Sequence, residues 1–385
     1  MPERNVYIDY NATTPLKDEV KTAMIEDIGV FGNASSMHGS GRSARSRIEE
    51  ARKSIAKLIG ADPTEVIFTS GGSESNNAVF ETMRELAAER NEFITTAIEH
   101  PCVLNSAEFS KKNGFKVTFI PVDEYGKIKM EALKSALNEK TLFVSVMMAN
   151  NEIGTIQDIK GISHLVKKAG AYLHTDAVQA VGKIPVNVEE LGVDYLTMSS
   201  HKIYGPKGIG ALYVKKGAPI FPLIHGGHQE DGLRAGTYNN LGIIGFGKAA
   251  SLALRDLDEY TKRTLTLRNR LKDGLVAAIQ NIKINGHPED VLPNTLNVSF
   301  SGAEGEAILL SMDLAGIEAS TGSACASGSL EPSHVLLAIG AKPELAHGSI
   351  RFSLGWGTSR EDVDYIIETL PPIIKKLKAI STAGE

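Results

Sequence analysis

From about residue 18 to residue 248, short apolar runs alternate with amphipathic stretches. The runs at 66–68, 93–98, 117–122, 142–148, 172–175 and 195–198 have the length and the β-branched or aromatic content of buried strands. Between the runs, positions such as Ile48, Ala51, Ile55 and Leu58 recur at spacings of 3, 4 and 3, which places them on one helix face. Such alternation predicts an α/β fold with a mainly parallel sheet covered by helices. After about Gly245 the pattern changes. A long charged helical stretch at 252–279 is followed by strands at 295–300 and 349–354 and by helices near Ala307 and Asp362. The expectation is a large domain over residues 16–250 and a smaller α+β domain built from residues 1–15 and 251–385.

Composition narrows the class. A hydrophobic fraction of 42% over 385 residues supports a globular chain with sizeable cores. A net charge of -5, spread along the chain, predicts no direct nucleic-acid contact and no membrane surface. The start of the chain is polar and no run of about 18 apolar residues occurs, so the expected location is cytoplasmic. The two cysteines, Cys102 and Cys325, form neither a CxxC pair nor a disulfide framework. No HExxH, paired Cys/His spacing or EF-hand loop is present, so no metal site is expected.

Four segments carry candidate chemistry. In Ser199-Ser200-His201-Lys202, followed by Ile203-Tyr204-Gly205, a lysine stands directly after a strand, where ligands of open α/β sheets bind. It is either a Schiff-base amine, a cation beside a phosphate, or an ordinary loop lysine. In His174-Thr175-Asp176-Ala177-Val178-Gln179, Asp176 ends a strand and Gln179 falls in the first turn of an expected helix. The carboxylate can hold a protonated ring nitrogen or cap that helix. Thr69 to Asn77 reads Thr-Ser-Gly-Gly-Ser-Glu-Ser-Asn-Asn between a strand and a helix, either a phosphate cradle or a plain capped turn. Finally, Cys325 sits among small polar residues and glycines, which predicts a solvent-facing loop and a reactive thiol. Arg351 lies in an apolar strand, where it needs an anionic partner, a structural acid or a substrate carboxylate. His100 follows another strand end and is either a stacking imidazole or hydrogen-bonded scenery. Its neighbour Cys102 reads as structural.

Taken jointly, these segments resemble the cysteine desulfurases of the NifS/IscS type, in the class V branch of fold-type-I pyridoxal-phosphate (PLP) enzymes. The resemblance runs nearly end to end. It includes Asn11-Ala12-Thr13-Thr14-Pro15, Gly32-Asn33-Ala34-Ser35-Ser36, Glu99-His100, Asn150-Asn151-Glu152-Ile153-Gly154, Arg234-Ala235-Gly236-Thr237 and Gly322-Ser323-Ala324-Cys325.

The resemblance implies a role at each matching position. Lys202 would carry PLP covalently and move protons at the substrate. His100 would stack on the ring, Asp176 would pair with its nitrogen, and Gln179 would hydrogen-bond its phenolic oxygen. Gly72, Ser73, Ser199 and His201 would hold the phosphate, with Thr237 reaching in from the other subunit of a homodimer. Asn151 and Arg351 would orient the carboxylate of L-cysteine. Cys325 would take the sulfur as a persulfide for a sulfur-acceptor protein, an iron–sulfur scaffold or a thiolation enzyme, leaving L-alanine. Ser73, Tyr10, Asp231 and Trp356 depart from the commonest pattern, and the chain ends soon after Lys378. These departures bear on the acceptor more than on the chemistry. A selenocysteine lyase or a class V aminotransferase is the alternative within the same fold. A non-catalytic protein that merely retains the fold is the alternative outside it.

Overall fold

The computed structural model describes residues 4–322 and 332–380. Its strands are β1 (Val6–Tyr7), β2 (Val66–Thr69), β3 (Glu92–Thr96), β4 (Lys116–Ile120), β5 (Thr141–Ser145), β6 (Tyr172–Asp176), β7 (Tyr195–Ser199), β8 (Gly210–Val214), β9 (Ile282–Asn285), β10 (Thr295–Phe300), β11 (Ile317–Glu318) and β12 (Ser349–Ser353). Seven of them form one sheet in the order β2-β8-β7-β6-β5-β3-β4. β8 runs antiparallel to both β2 and β7, and every other pairing is parallel. Six strands therefore deliver their C-terminal ends to the same edge, the edge at which open α/β sheets bind ligands.

Both faces of this sheet are apolar, because helices cover both. Phe68, Ile94, Val144 and Leu196 belong to one core cluster with Ile48 and Ile55 of the helix Gly39–Ile59. Their immediate neighbours Ile67, Phe93, Phe143 and Tyr195 belong to the opposite cluster, with Val79 and Phe80 of the helix Gly72–Leu86. Two-sided burial gives continuous apolar runs rather than alternation. Phe80 packs edge-on against Phe143 with centroids 5.1 Å apart, a geometry that adds about 1 kcal/mol beyond area burial.

A second sheet, β12-β10-β9, is antiparallel and packs its own core against the helices Leu257–Ala278 and Arg360–Ile380. The expected helices near Ala307 and Asp362 are present as Gly305–Leu314 and Arg360–Ile380. The single stretch expected at 252–279 is instead two helices, Asn240–Arg255 and Leu257–Ala278. They meet at Asp256, whose carboxylate accepts from Lys17 and Arg255.

The helix expected to begin near Gln179 does not form. Residues 178–183 are successive single turns, ended by Gly182 at φ +74° and by Pro185. Neither continues a regular helix.

β8 escapes the hydrophobic pattern because Gly205, Pro206, Gly208 and Gly210 read as one long turn. Yet Gly210 is what lets the sheet edge close up. A Cβ there would lie 2.7 Å from the Cα of Gly71 and 2.8 Å from the carbonyl oxygen of Met198. No flexible side chain could yield to it. Gly210→Ala should therefore cost about 1–3 kcal/mol in chemical denaturation. Gly39→Ala, where a Cβ meets nothing within 4 Å, should be neutral or stabilising. Equal effects would show that the close approach is not what Gly210 serves.

Candidate active site

At the common edge of the large sheet lies a cavity of about 400 Å³. This is within the size range of small-molecule sites. The side of the cavity nearest β2 is formed where the chain turns from that strand into the helix Gly72–Leu86. Its N-cap, Gly71, offers no side-chain capping bond, so the first-turn amides have no internal side-chain acceptor. Such a helix start favours an anion. Gly72, Ser73, Ser199 and His201 line the cavity together here. A Cβ on Gly72 would press to 3.0 Å from Val178 Cγ2. His201 accepts or shares a hydrogen bond with Thr13 Oγ1 at 3.1 Å. Burial, helped by Lys202, Lys207 and Lys183, pushes its imidazole down to about 4, so it is neutral near pH 7.

Asp176 lies at the end of β6 and is buried. Oδ1 accepts from the amide of Val178 at 3.0 Å, a bond that closes the turn after β6 rather than capping a helix. Oδ2 accepts from Asn76 Nδ2 at 2.7 Å on the cavity wall. One oxygen thus holds the turn that follows β6, and the other lies on the cavity wall with Asn76.

Lys202 ends the short 3-10 turn Ser200–Lys202 after β7, and its Nζ donates to the carbonyls of Asn11 at 2.5 Å and Ala12 at 2.8 Å. The loop behind it is held by Tyr204 at φ +67°, whose N–H donates to Thr14 Oγ1. A non-glycine residue with positive φ persists only when its surroundings impose it.

His100 is the N-cap of the helix Pro101–Lys112, with Nδ1 accepting from the Cys102 amide at 3.2 Å. Burial lowers its pKa, with Lys202 and His334 acting in the same direction and Asp176 opposing. Behind it Glu99 is fully buried. Oε1 accepts from Thr96 Oγ1 and from the Met147 amide, and burial pushes the carboxyl up to about 8.

The far wall comes from the small sheet. Arg351 on β12 is 2% exposed and donates from Nη2 to Asp9 at 2.7 Å and from Nη1 to the Asn151 carbonyl at 3.1 Å. A structural acid therefore partners it, while its Nε is buried with no partner among the described residues. The side chain still lines the cavity.

The cavity gathers ten residues expected from the sequence: Gly72, Ser73, His100, Asn151, Asp176, Gln179, Ser199, His201, Lys202 and Arg351. Thr237 is not among them. It is exposed and lines a separate hollow of about 60 Å³ beside Ser70 and Arg234. Cys325 lies outside the described residues. Asn76, Asn11 and Cys102 also reach the cavity, with no site role expected for them from the residue pattern. Asn76 was detectable in principle, four residues after Gly72 on one helix face. Cys102 is no distant structural thiol: Sγ lies 3.0 Å from His100 Nδ1 and 3.1 Å from Asn76 Nδ2. Burial, with Asp176 adding, pushes that thiol up to about 12, which keeps it protonated and a poor nucleophile.

These residues fit pyridoxal phosphate on chemical grounds. An uncapped helix start suits the phosphate, a buried carboxylate suits a protonated ring nitrogen, and a lysine amine lines the same cavity.

Comparison with known proteins agrees with the geometry. The model of the family "Aminotransferase class-V" matches residues 6–366. Cysteine desulfurase IscS of Dictyoglomus turgidum is 52% identical, with 98% of this chain and 97% of the relative covered. Cysteine desulfurase IscS of Clostridium botulinum is 48% identical, with 99% and 97% covered. A solved NifS-like protein superposes with a TM-score of 0.92 at 41% identity, over 97% of this chain and 100% of that one.

Glu99 gives this site a pH signature. Its folded-state pKa is raised, so between about 4.5 and 8 the folded protein holds a proton the unfolded chain releases. Stability then falls as pH rises through that window. Glu99→Gln keeps an acceptor for Thr96 and Met147 and removes the titration. The variant should gain stability relative to the parent between pH 5 and pH 8 in urea melts. A difference that does not change with pH would show that Glu99 is not held protonated.

Proposed function

The chain belongs to the class-V aminotransferase family, and on that premise we propose that it removes sulfur from L-cysteine, releasing L-alanine and leaving a persulfide on Cys325. The observation that carries this reading is the convergence of Lys202, Asp176 and the uncapped amides at Gly72 on one cavity. Its cofactor is pyridoxal phosphate. When bound, the cofactor supplies an electron sink for charge developing at Cα of an amino acid.

The chain's own residues do the rest. Gly72, Ser73, Ser199 and His201 would hold the phosphate, and Asp176 would keep a proton on the ring nitrogen. His100 would lie against the ring face, and Gln179 would donate to the phenolic oxygen. Lys202 would hold the cofactor through Nζ and move the proton at Cα. Arg351 and Asn151 orient the substrate carboxylate. The Cys325 thiolate forms a new S–S bond as the Cβ–S bond breaks. The electron pair left on Cβ takes up a proton, and alanine departs. In a homodimer, Thr237, which lies outside this cavity in its own chain, completes the phosphate site of the second copy. The persulfide then passes to an acceptor protein.

The decisive assay measures alanine and sulfide from L-cysteine with PLP and a thiol reductant, in the parent and in Cys325→Ala. The expected outcome is turnover in the parent and a loss of at least a hundredfold in the variant, about 2.7 kcal/mol of barrier. Alanine from both at equal rates would make Cys325 dispensable. No product from either, with PLP bound, would favour amino-group transfer. Faster turnover of L-selenocysteine than of L-cysteine would favour the lyase.

A further inference from the structure

Beneath the cavity floor, the turn after β6 carries a lysine with no acid to meet. Lys183 is 2% exposed, and its Nζ donates to Gln179 Oε1 at 2.6 Å and to Asn11 Oδ1 at 3.1 Å. Both acceptors are neutral amide oxygens, and no carboxylate pairs with Lys183 among the described residues. Burial pushes its ammonium toward the free amine, and the charges of Lys202 and Arg351 push the same way. Two of its N–H donors are engaged, one by each amide oxygen.

Their effect is to choose between two otherwise nearly equivalent orientations of each amide. A donor against Oε1 turns the NH2 of Gln179 away from Lys183. One of its hydrogens goes to the Asn11 carbonyl at 2.9 Å, and the other is available to an acceptor in the cavity that Gln179 lines. A donor against Asn11 Oδ1, joined by Asn294 Nδ2 at 3.0 Å, likewise turns the NH2 of Asn11 toward the Asn151 carbonyl and Thr295 Oγ1. With an apolar side chain at 183, either amide could rotate and present an oxygen to the cavity instead. An oxygen facing the phenolic oxygen of a bound cofactor would repel it.

We propose that Lys183 is a positioning residue for the cofactor, fixing the Gln179 amide with an N–H toward the oxygen of PLP that Gln179 meets. The inference deepens the proposed function and rests on it through Gln179. Lys183 is not among the residues that line the cavity. It acts by setting which end of another side chain does.

The test is a double-mutant cycle of Lys183→Met, Gln179→Met and the double variant. It is read as the PLP dissociation constant and the position of the visible absorption band of the bound cofactor. Lys183→Met should weaken PLP binding about five- to tenfold, the size of one lost hydrogen bond, and should move the band. The double variant should match Gln179→Met alone, because the lysine has nothing left to act through. A folded Lys183→Met with parental affinity and band, or effects that multiply in the double variant, would overturn the assignment. A crystal structure of the parent holoenzyme decides the same question without any variant. Gln179 Nε2 on the phenolic oxygen with Oε1 on Lys183 supports the role. A turned amide, or Lys183 reaching the cofactor itself, overturns it. A parent that develops no visible band with PLP would overturn the proposed function and this role together. A parent with the band beside an unchanged variant would overturn only the role of Lys183.

Discussion

Asn11 joins the two sheets at the point where the chemistry is assembled. It is 1% exposed, and each polar atom of its backbone and side chain meets a partner from a distant stretch of chain. Its amide donates to Ser353 Oγ on β12, and its side chain reaches Thr295 on β10, Asn294, and the Asn151 carbonyl. Its carbonyl accepts from Lys202 and Gln179 on the large-sheet side. A buried network of this kind specifies one arrangement because any partial break leaves polar groups unpaired in a low-dielectric interior. The amine of Lys202, the amide of Gln179 and the wall carrying Arg351 are thereby referred to one fixed point. A few tenths of an ångström lost there would be felt by all three.

The charge balance of the cavity follows from the same burial. Lys202, Arg351 and a helix start bring positive potential, while Asp9 neutralises only part of the guanidinium. Burial holds His201 neutral and shifts Glu99 toward its uncharged form, so neither screens the site strongly. Such a field suits a ligand bearing a phosphate and a substrate bearing a carboxylate. Beside Asp176, Cys102 is held as the thiol, so the sulfur transfer we propose is assigned to Cys325 instead.

Much of this was legible from the chain alone. The apolar runs located six of the seven large-sheet strands, because two-sided burial demands uninterrupted hydrophobic stretches. β8 was lost among glycines whose purpose, close approach to Gly71, exists only in three dimensions. Asp176, Lys202 and the Gly72 turn were visible as chemistry at strand ends, the places where a parallel sheet exposes side chains to a ligand. Asn11 was not, since nothing in sequence distinguishes an asparagine in a buried network from one in a loop. Lys183 is the sharper case. It stands in a Val-Gly-Lys-Ile-Pro stretch that carries no motif, yet tertiary packing closes over it.

Everything proposed for this sheet edge turns on a covalent link between the cofactor and Lys202. Borohydride reduction of the PLP-loaded parent, followed by proteolysis and mass spectrometry of the modified peptide, reads that link. A single phosphopyridoxyl mass is expected on Lys202, in the peptide spanning the end of β7. Label on Lys183, on another lysine, or on none would overturn the assignment.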